Sequence, residues 1–124
     1  MKVEEIMKQP FVIEDDISIE EAAKLMDEKK IGSLIFVSGK KVIGIITEKD
    51  ILANLNKNMK VTKIMTKNVY TIGPKEDLRE ALEIMREKKI KVLPVVEKEE
   101  LVGVVSISDI SEHYEELEGN FLIE

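Results

Sequence analysis

Residues 26–31 read MDEKKI, and residues 85–90 read MREKKI. The match extends beyond this block, because residues 21–51 align without a gap on residues 80–110 with 12 identities in 31 positions. The register holds at apolar positions as well as at charged ones, so biased composition does not explain it. The chain therefore contains two copies of one unit, related by a shift of 59 residues (80 − 21).

The upstream part of each copy repeats as well. The spacing VxxIM at residues 3–7 returns at residues 61–65, a shift of 58 (61 − 3). We place the first repeat at residues 1–58 and the second at residues 59–124. Two repeats are too few for a solenoid, so we expect them to pair face to face as one compact module.

The first copy predicts the element order β-α-β-β-α. The capping box Ser18-x-x-Glu21 opens a helix that ends near residue 30 and has apolar residues at helical spacing. A second helix begins near Thr47, after a hairpin with its turn at residues 38–40. The strands of this copy are predicted at residues 11–13, 33–37 and 42–46.

The second copy predicts the same order. Its helices are expected at residues 77–89 and from Ser106 onward, and its strands at residues 69–72, 92–96 and 101–105. Pro94 lies inside one of these strands, where a missing N–H is tolerated only at an edge, a bulge or a strand start. The predicted class is mixed α/β (α+β).

Composition narrows the classes of function. Cysteine is absent and His113 is the one histidine, which excludes thiolate catalysis, cysteine zinc sites and paired-histidine metal sites. No Ser/His/Asp order or phosphate-binding loop occurs, so we expect no catalytic residues, no metal ligands and no enzyme activity. A net charge of −6 argues against broad nucleic-acid binding. The abundant lysine and glutamate fit a heat-adapted protein and a lysine-rich mesophilic one alike.

Hydropathy gives a further expectation. The chain has no apolar run long enough to span a bilayer and no apolar signal core behind its N-terminus. We therefore expect no membrane association and a cytoplasmic location.

The end of each hairpin carries the same short pattern. Residues 44–50 read GIITEKD and residues 103–109 read GVVSISD, and residues 93–96 read LPVV. With the Ile-Met pairs at the head of each copy, this set resembles the cystathionine beta-synthase (CBS) domain family over about residues 3–112. Residues 34–37 read LIFV where the family favours a proline, and Lys49 stands where the second copy has Ser108.

The resemblance implies both a fold and a function. CBS repeats pack sheet to sheet around a pseudo-twofold axis, and the clefts between them bind AMP, ADP, ATP or S-adenosylmethionine. Stand-alone pairs are regulatory or energy-sensing modules without a cofactor, often homodimers, that transmit the occupancy of a bound adenine nucleotide to a regulated partner protein. The alternative is a ligand-independent scaffold or dimerisation module.

Both hairpins end in a hydroxyl and an acid at the start of a helix. Exposed N–H groups at such a corner favour an anion, a carboxylate can accept ribose hydroxyls, and a hydroxyl can donate to a phosphate oxygen. The same spacing is also a plain N-capping box that needs no ligand, and the two roles are compatible. The predicted ribose- and phosphate-binding residues are Thr47, Lys49, Asp50, Ser106, Ser108 and Asp109.

The purine needs an apolar slot with backbone groups at its polar edge. The residues predicted to bind adenine are Ile13, Ile31, Gly32, Thr71, Ile72, Ile90, Lys91 and Val92. Gly32 would allow close approach of a ligand, whereas core packing is the competing interpretation of the apolar members. By the resemblance, the acid comes from one copy and the base-contacting segment from the other. Thr47, Lys49 and Asp50 would thus work with Thr71, Ile90 and Val92, and the corner of the second copy with Ile13, Ile31 and Gly32.

Overall fold

The structure, a computed structural model, describes residues 1–113, and residues 114–124 of the second repeat lie outside the described part. The chain forms two compact units. The first unit is Pro10–Val69, and the second combines Met1–Gln9 with the chain from Tyr70 onward. The leading segments of the two sequence repeats are therefore exchanged, since residues 1–9 fold with the second hairpin and residues 59–69 with the first. The boundary at residues 58/59 stays a prediction about the repeats in the sequence.

The first unit is a three-stranded sheet with two helices. Its strands are β1 (Val12–Ile13), β2 (Ser33–Ser38) and β3 (Lys41–Thr47), and its helices are α1 (Ile19–Lys29) and α2 (Glu48–Ala53). The strand order is β1-β2-β3, with β1 parallel to β2 and β2 antiparallel to β3. One core unites both layers, made of Ile13, Ile19, Ala22, Met26, Leu34, Phe36, Ile46, Ile51 and Val61.

Local sequence explains where α1 begins and ends. The Ser18 side chain accepts a hydrogen bond from the Glu21 N–H at 3.1 Å, as the predicted capping box requires. Lys30 ends the helix in the left-handed conformation with φ 56°. Ile19, Ala22 and Met26 are buried on one face of the helix, which packs that face against the sheet.

The second unit repeats this plan with one strand fewer. It contains α3 (Leu78–Lys88), β4 (Val92–Glu97), β5 (Glu100–Ser106) and α4 (Ile107–Glu112), and β4 and β5 form an antiparallel pair. Its core is made of Val3, Ile6, Ile72, Leu78, Ala81, Met85, Leu93, Val95, Val105 and Ile110. The mixed α/β class is confirmed, with two sheets and four helices within residues 1–113. The twofold relation between the units stays an expectation.

The strand predicted at residues 69–72 was wrong, because only an isolated bridge between Ile72 and Val95 forms there. Proline explains the loss. In the first unit, the Ile35 N–H donates to the Phe11 carbonyl at 3.1 Å and helps to hold β1. The equivalent residue of the second repeat is Pro94, which has no N–H to donate. The leading segment of the second unit therefore keeps a shorter pairing with its hairpin.

Two glycines allow the leading segments, which contain Met7 and Met65, to pack closely against the hairpins. A Cβ atom added to Gly103 would lie 2.6 Å from the Met7 sulfur, and one added to Gly44 would overlap the Met65 side chain. Each methionine therefore lies against bare strand backbone, which is the close approach that a glycine inside a strand permits. No helix within residues 1–113 is both long enough and apolar enough to cross a bilayer.

Candidate functional site

The corner of the first unit joins β3 to α2 through Thr47. Asp50 Oδ2 accepts hydrogen bonds from the Thr47 N–H at 2.9 Å and from the Thr47 hydroxyl at 3.2 Å. Both bonds fall on one oxygen, so neither of them uses Oδ1. Capping thus accounts for the local geometry, and the Asp50 side chain stays half-buried at the end of the sheet.

The corner of the second unit has the same form with tighter contacts. Asp109 Oδ2 accepts from the Ser106 N–H at 2.8 Å and from the Ser106 hydroxyl at 2.9 Å, and the Asp109 N–H donates back to that hydroxyl at 3.1 Å. Asp109 is 5% exposed, so this carboxylate is buried. The two bonds from Ser106 use Oδ2, as they do at the first corner.

A lysine from the N-terminal segment makes the second corner chemically different from the first. Lys8 Nζ lies 2.9 Å from Asp109 Oδ1 and 3.5 Å from Glu112 Oε2. The hydrogen bond to Asp109 and the charges of Asp109 and Glu112 raise the pKa of Lys8 above 10.5. In the first unit the equivalent residue is Thr66, which has no charge.

Sequence reasoning missed Lys8, although a signal was present. Lys8 and Thr66 follow the two repeated Ile-Met pairs. In the structure they bridge equivalent strand residues, Lys8 with Val104 and Thr66 with Ile45. One repeat therefore has a cation at this position and the other a neutral threonine, and this difference in the sequence is the signal that could have identified Lys8.

Each unit brings its own predicted purine segment beside its own corner. The Glu48 N–H donates to the Gly32 carbonyl at 3.1 Å, and the Ile107 N–H donates to the Lys91 carbonyl at 2.8 Å. Val92 is likewise paired with Ser106 across the hairpin. The pairing of each acid with the purine segment of the other copy stays a prediction, since it concerns both units.

The remaining predicted residues divide by burial. Ile13 and Ile72 are 9% and 5% exposed and belong to the two cores, which is what the core-packing interpretation describes. Ile31 and Ile90 are partly buried and pack against those cores. The exposed members are Lys49, Thr71, Ser108 and Lys91.

The second unit also has an open groove of about 740 Å³ beside α3. Four cationic side chains, one glutamate and four apolar side chains line it. Ile90 and Lys91 are among the lining residues, whereas Ser106, Ser108 and Asp109 are not. The groove and the hydroxyl–acid corner therefore lie next to each other without coinciding.

Comparison with known proteins identifies the fold family. The CBS domain family model matches residues 3–57 and 61–116. Inosine-5'-monophosphate dehydrogenase of Korarchaeum cryptofilum is 39% identical over 106 residues, which are 85% of this chain and 22% of the dehydrogenase. An uncharacterized 17.7 kDa protein of Acidianus ambivalens is 37% identical over 106 residues, 82% of this chain and 65% of that protein. The chain thus spans about a fifth of the length of the dehydrogenase.

Solved structures match over nearly the whole chain. The CBS domain pair of protein MJ0100, in complex with 5'-methylthioadenosine and S-adenosyl-L-methionine, has a TM-score of 0.87 and 35% identity, covering 94% of this chain and 98% of that one. The CBS domain protein PAE2072 from Pyrobaculum aerophilum, complexed with AMP, has a TM-score of 0.81 and 26% identity, covering 88% and 89%. On the family match to both repeats and on these structures, the chain belongs to the CBS domain family and contains two CBS domains in tandem.

Proposed function

We propose that the chain is a non-catalytic regulatory module that binds an adenosine-containing ligand and transmits its occupancy to a partner protein. The observation that carries this proposal is the recurrence of one hydroxyl–acid corner in both units. Relatives of similar fold hold adenosine compounds, namely S-adenosyl-L-methionine and 5'-methylthioadenosine in one and AMP in the other. The candidate ligands are AMP, ADP, ATP and S-adenosylmethionine.

The first corner has the chemistry that a nucleoside requires. The bonds from Thr47 use Asp50 Oδ2, and we propose that Oδ1 accepts the ribose hydroxyls. The Thr47 hydroxyl can turn from Asp50 to donate to a phosphate oxygen. Lys49 is exposed on the same turn and would add a positive charge. Gly32, whose carbonyl is bonded to this turn, has no side chain of its own, and the Glu48 side chain lies beside it.

The second corner would bind the same ligands through a different set of contacts. Lys8 already neutralises Asp109 and occupies Oδ1, so a ribose would have to share or displace that contact. Ser106 and Ser108 supply hydroxyls, and Lys91 adds a cation nearby. We therefore propose that the first corner is the stronger nucleoside site and that Lys8 contributes phosphate affinity at the second.

A scaffold role is the second candidate, and one observation favours it. Asp109 is 5% exposed, and Ser106 and Lys8 engage both of its oxygens. A carboxylate satisfied in this way stabilises the fold without any ligand. A scaffold would associate with its partner, or with itself as a homodimer, whether or not nucleotide is present.

Thermal unfolding of the full chain with each candidate ligand separates the two functions. A ligand that binds the native state must raise the melting temperature, by the equivalent of about 2.7 kcal/mol at a hundred times its Kd. The informative variants are Asp50→Asn and Asp109→Asn, because asparagine keeps a capping oxygen and removes the charge. Asp15→Asn, an exposed acid outside both corners, is the matched control.

We expect the ligand-induced shift to persist in the control and to fall in Asp50→Asn and Asp109→Asn. The quantity compared is the change in melting temperature that ligand causes in each variant. A difference in stability between the ligand-free variants therefore does not affect the comparison. The sensor proposal fails if none of the four ligands shifts the wild-type melting temperature. It also fails if both corner variants respond to ligand as the wild type does.

A further inference from the structure

The open groove beside α3 is strongly basic. Its four cationic side chains are exposed, and Glu83 is the acid among the residues that line it. Like charges on one surface repel each other, so an occupant that supplies carboxylates at this place would relieve that repulsion. The cationic side chains are Arg79, Arg86, Lys89 and Lys91.

The groove is apolar as well as basic. Leu82 and Ile90 are partly buried in its lining, and Ile107 at its edge is 37% exposed. Burial of apolar surface stabilises a contact in proportion to the area removed from water, whereas an exposed ion pair by itself contributes little. The groove therefore fits an occupant that carries both acids and apolar side chains.

The shared fold does not require this character. The nine lining positions carry a net charge of +3 (4 − 1) in the second unit. A shift of 59 residues carries them onto positions of the first unit with a net charge of −1 (2 − 3), whose charged members are Glu20, Lys24, Asp27, Lys30 and Glu48. The basic groove therefore distinguishes the second unit from the first.

Residues 114–124 have the composition that the groove fits. They read YEELEGNFLIE, with four glutamates, five apolar or aromatic residues and no lysine or arginine. Three of the apolar residues are consecutive, at positions 121–123. Both kinds of side chain that complement the groove therefore occur in this one segment.

The charge of this segment also differs in sign from that of its equivalent in the first repeat. Residues 55–65 follow the cap of α2 as residues 114–124 follow the cap of α4. Residues 55–65 contain three lysines and no acid. The segment and the groove positions of its own repeat thus change sign together, which keeps opposite net charges on the two in each repeat.

The first unit shows where its own segment lies. At the start of α1, the Ile19 N–H donates to the Met59 carbonyl at 3.0 Å. The equivalent place at the start of α3 is taken by the first residues of the chain, since the Leu78 N–H donates to the Met1 carbonyl at 2.9 Å. That place is not open to residues 114–124, whereas the groove beside the same helix is.

We propose that residues 114–124 dock in the groove beside α3 of their own chain, with their acids on its cations and residues 121–123 on its apolar surface. α4 begins at Ile107, at the edge of the groove, and ends at Glu112, a rise of about 9 Å. Eleven residues can extend over about 36 Å, so the segment is long enough to return to the groove. The inference goes beyond the proposed function, because the docking requires neither a ligand nor a second copy.

A nitroxide spin label on the full chain tests the docking. The chain has no cysteine, so Asn120→Cys gives one site for the label within the segment. The nitroxide broadens the backbone amide signals of residues that come close to it, and the measurement compares their intensities before and after reduction of the label. We expect loss of intensity at residues 82–91 and at Ile107 in the oxidised sample.

Charge variants of the labelled chain test what holds the segment. Arg86→Glu/Lys91→Glu should restore the groove signals, because it opposes acids to acids. Adding Glu115→Lys/Glu118→Lys to that variant should bring the broadening back. The matched control Lys41→Glu/Lys67→Glu, at exposed lysines of the first unit, should broaden as the wild type does. Phe121→Ser/Leu122→Ser should weaken the broadening without changing any charge.

The alternative occupants give different results. Broadening that appears when a labelled chain without nitrogen-15 is mixed with an unlabelled nitrogen-15 chain would place the segment on a second copy and overturn the proposal. Groove signals that keep their intensity in the labelled wild type would also overturn it, whether or not copies associate. Broadening that is equal in Arg86→Glu/Lys91→Glu and in wild type would show that the groove does not hold the segment. None of these results depends on adenosine-ligand binding, which the melting temperatures test separately.

Discussion

Lys8 Nζ lies 2.9 Å from Asp109 Oδ1, so the N-terminal segment supplies the counter-ion for the buried acid of α4. The Lys8 side chain is 55% exposed and that of Asp109 8%. At the equivalent place in the first unit, Thr66 has no charge to offer Asp50. Two corners with the same hydroxyl–acid spacing therefore differ in their electrostatics.

Replacing Lys8 by threonine, the residue of the other repeat, should lower the melting temperature at neutral pH. The substitution leaves the Asp109 carboxylate buried without its cation, which is costlier than losing an exposed pair. Lys41→Thr, at an exposed lysine on strand β3 where threonine fits, is the control and should unfold as the wild type does. Equal melting temperatures for Lys8→Thr and wild type would contradict the pairing.

The Lys8 pair should also show its own pH dependence. Its partner Asp109 raises the pKa of Lys8 above 10.5, so the stabilisation is complete below pH 10.5 and is lost as the pH rises through the raised value. Urea unfolding of wild type and Lys8→Thr at pH 7, 9 and 11 should give a difference in unfolding free energy that shrinks only at the highest pH. A difference that already vanishes by pH 9 would point to another cause.

Asp16 links the segment before α1 to the segment after α2 through hydrogen bonds. Its carboxylate accepts from the Thr62 hydroxyl at 2.7 Å and from the Thr62 N–H at 3.0 Å. The hydroxyl bond, followed by the N–H bond, lowers the pKa of Asp16 below 3.8. Its stabilisation is thus present above pH 3.8 and is lost as the pH falls through the lowered value.

Asp16→Asn should therefore lower the urea midpoint at pH 7, and its deficit relative to wild type should close below pH 3.8. Asp15→Asn, the exposed neighbour, is the control and should follow the wild type throughout. A deficit that persists unchanged at pH 2 would show that the charge of Asp16 contributes nothing to its role.

The charged form of Glu80, on α3, is destabilised by Glu76, which precedes the helix. A hydrogen bond to Glu76 and the charge of that residue raise the pKa of Glu80 above 4.5. Folding therefore favours the protonated acid, and stability falls as the pH rises from 4.5 through the raised pKa. Glu80→Gln should raise the urea midpoint at pH 7 and lose this advantage below pH 4.5. Glu87→Gln on the same helix should give no such gain.

Gly103→Ala should destabilise the second unit by about 1–3 kcal/mol, because the new methyl group would overlap the Met7 side chain. In a double-mutant cycle with Met7→Ala, the double variant should lose less stability than the sum of the single variants. Gly73→Ala, whose Cβ would lie 3.5 Å from Glu76, is the control and should cost less. Additive losses in the cycle would mean that Met7 does not occupy the space above Gly103.

The sequence by itself determined the tandem repeat, most of the elements and both hydroxyl–acid corners. Ser18 caps α1, and Thr47 and Ser106 cap α2 and α4 where the pattern predicted. These features depend on interactions between residues that are close in the sequence. The types and spacing of those residues therefore predict them directly. The strand predicted at residues 69–72 failed because its pairing depended on the N–H that Pro94 lacks, on a strand distant in sequence.

Only the tertiary structure decided which leading segment folds with which hairpin. Met7 lies against Gly103 and Met65 against Gly44. Because the segment with Met7 folds onto the second hairpin, Lys8 lies close enough to Asp109 to form an ion pair. No local pattern could assign these partners, because both segments carry the same VxxIM spacing and both hairpins carry the same glycine. The choice is made by packing and charge between residues far apart in the chain, and those exist only once the units have folded.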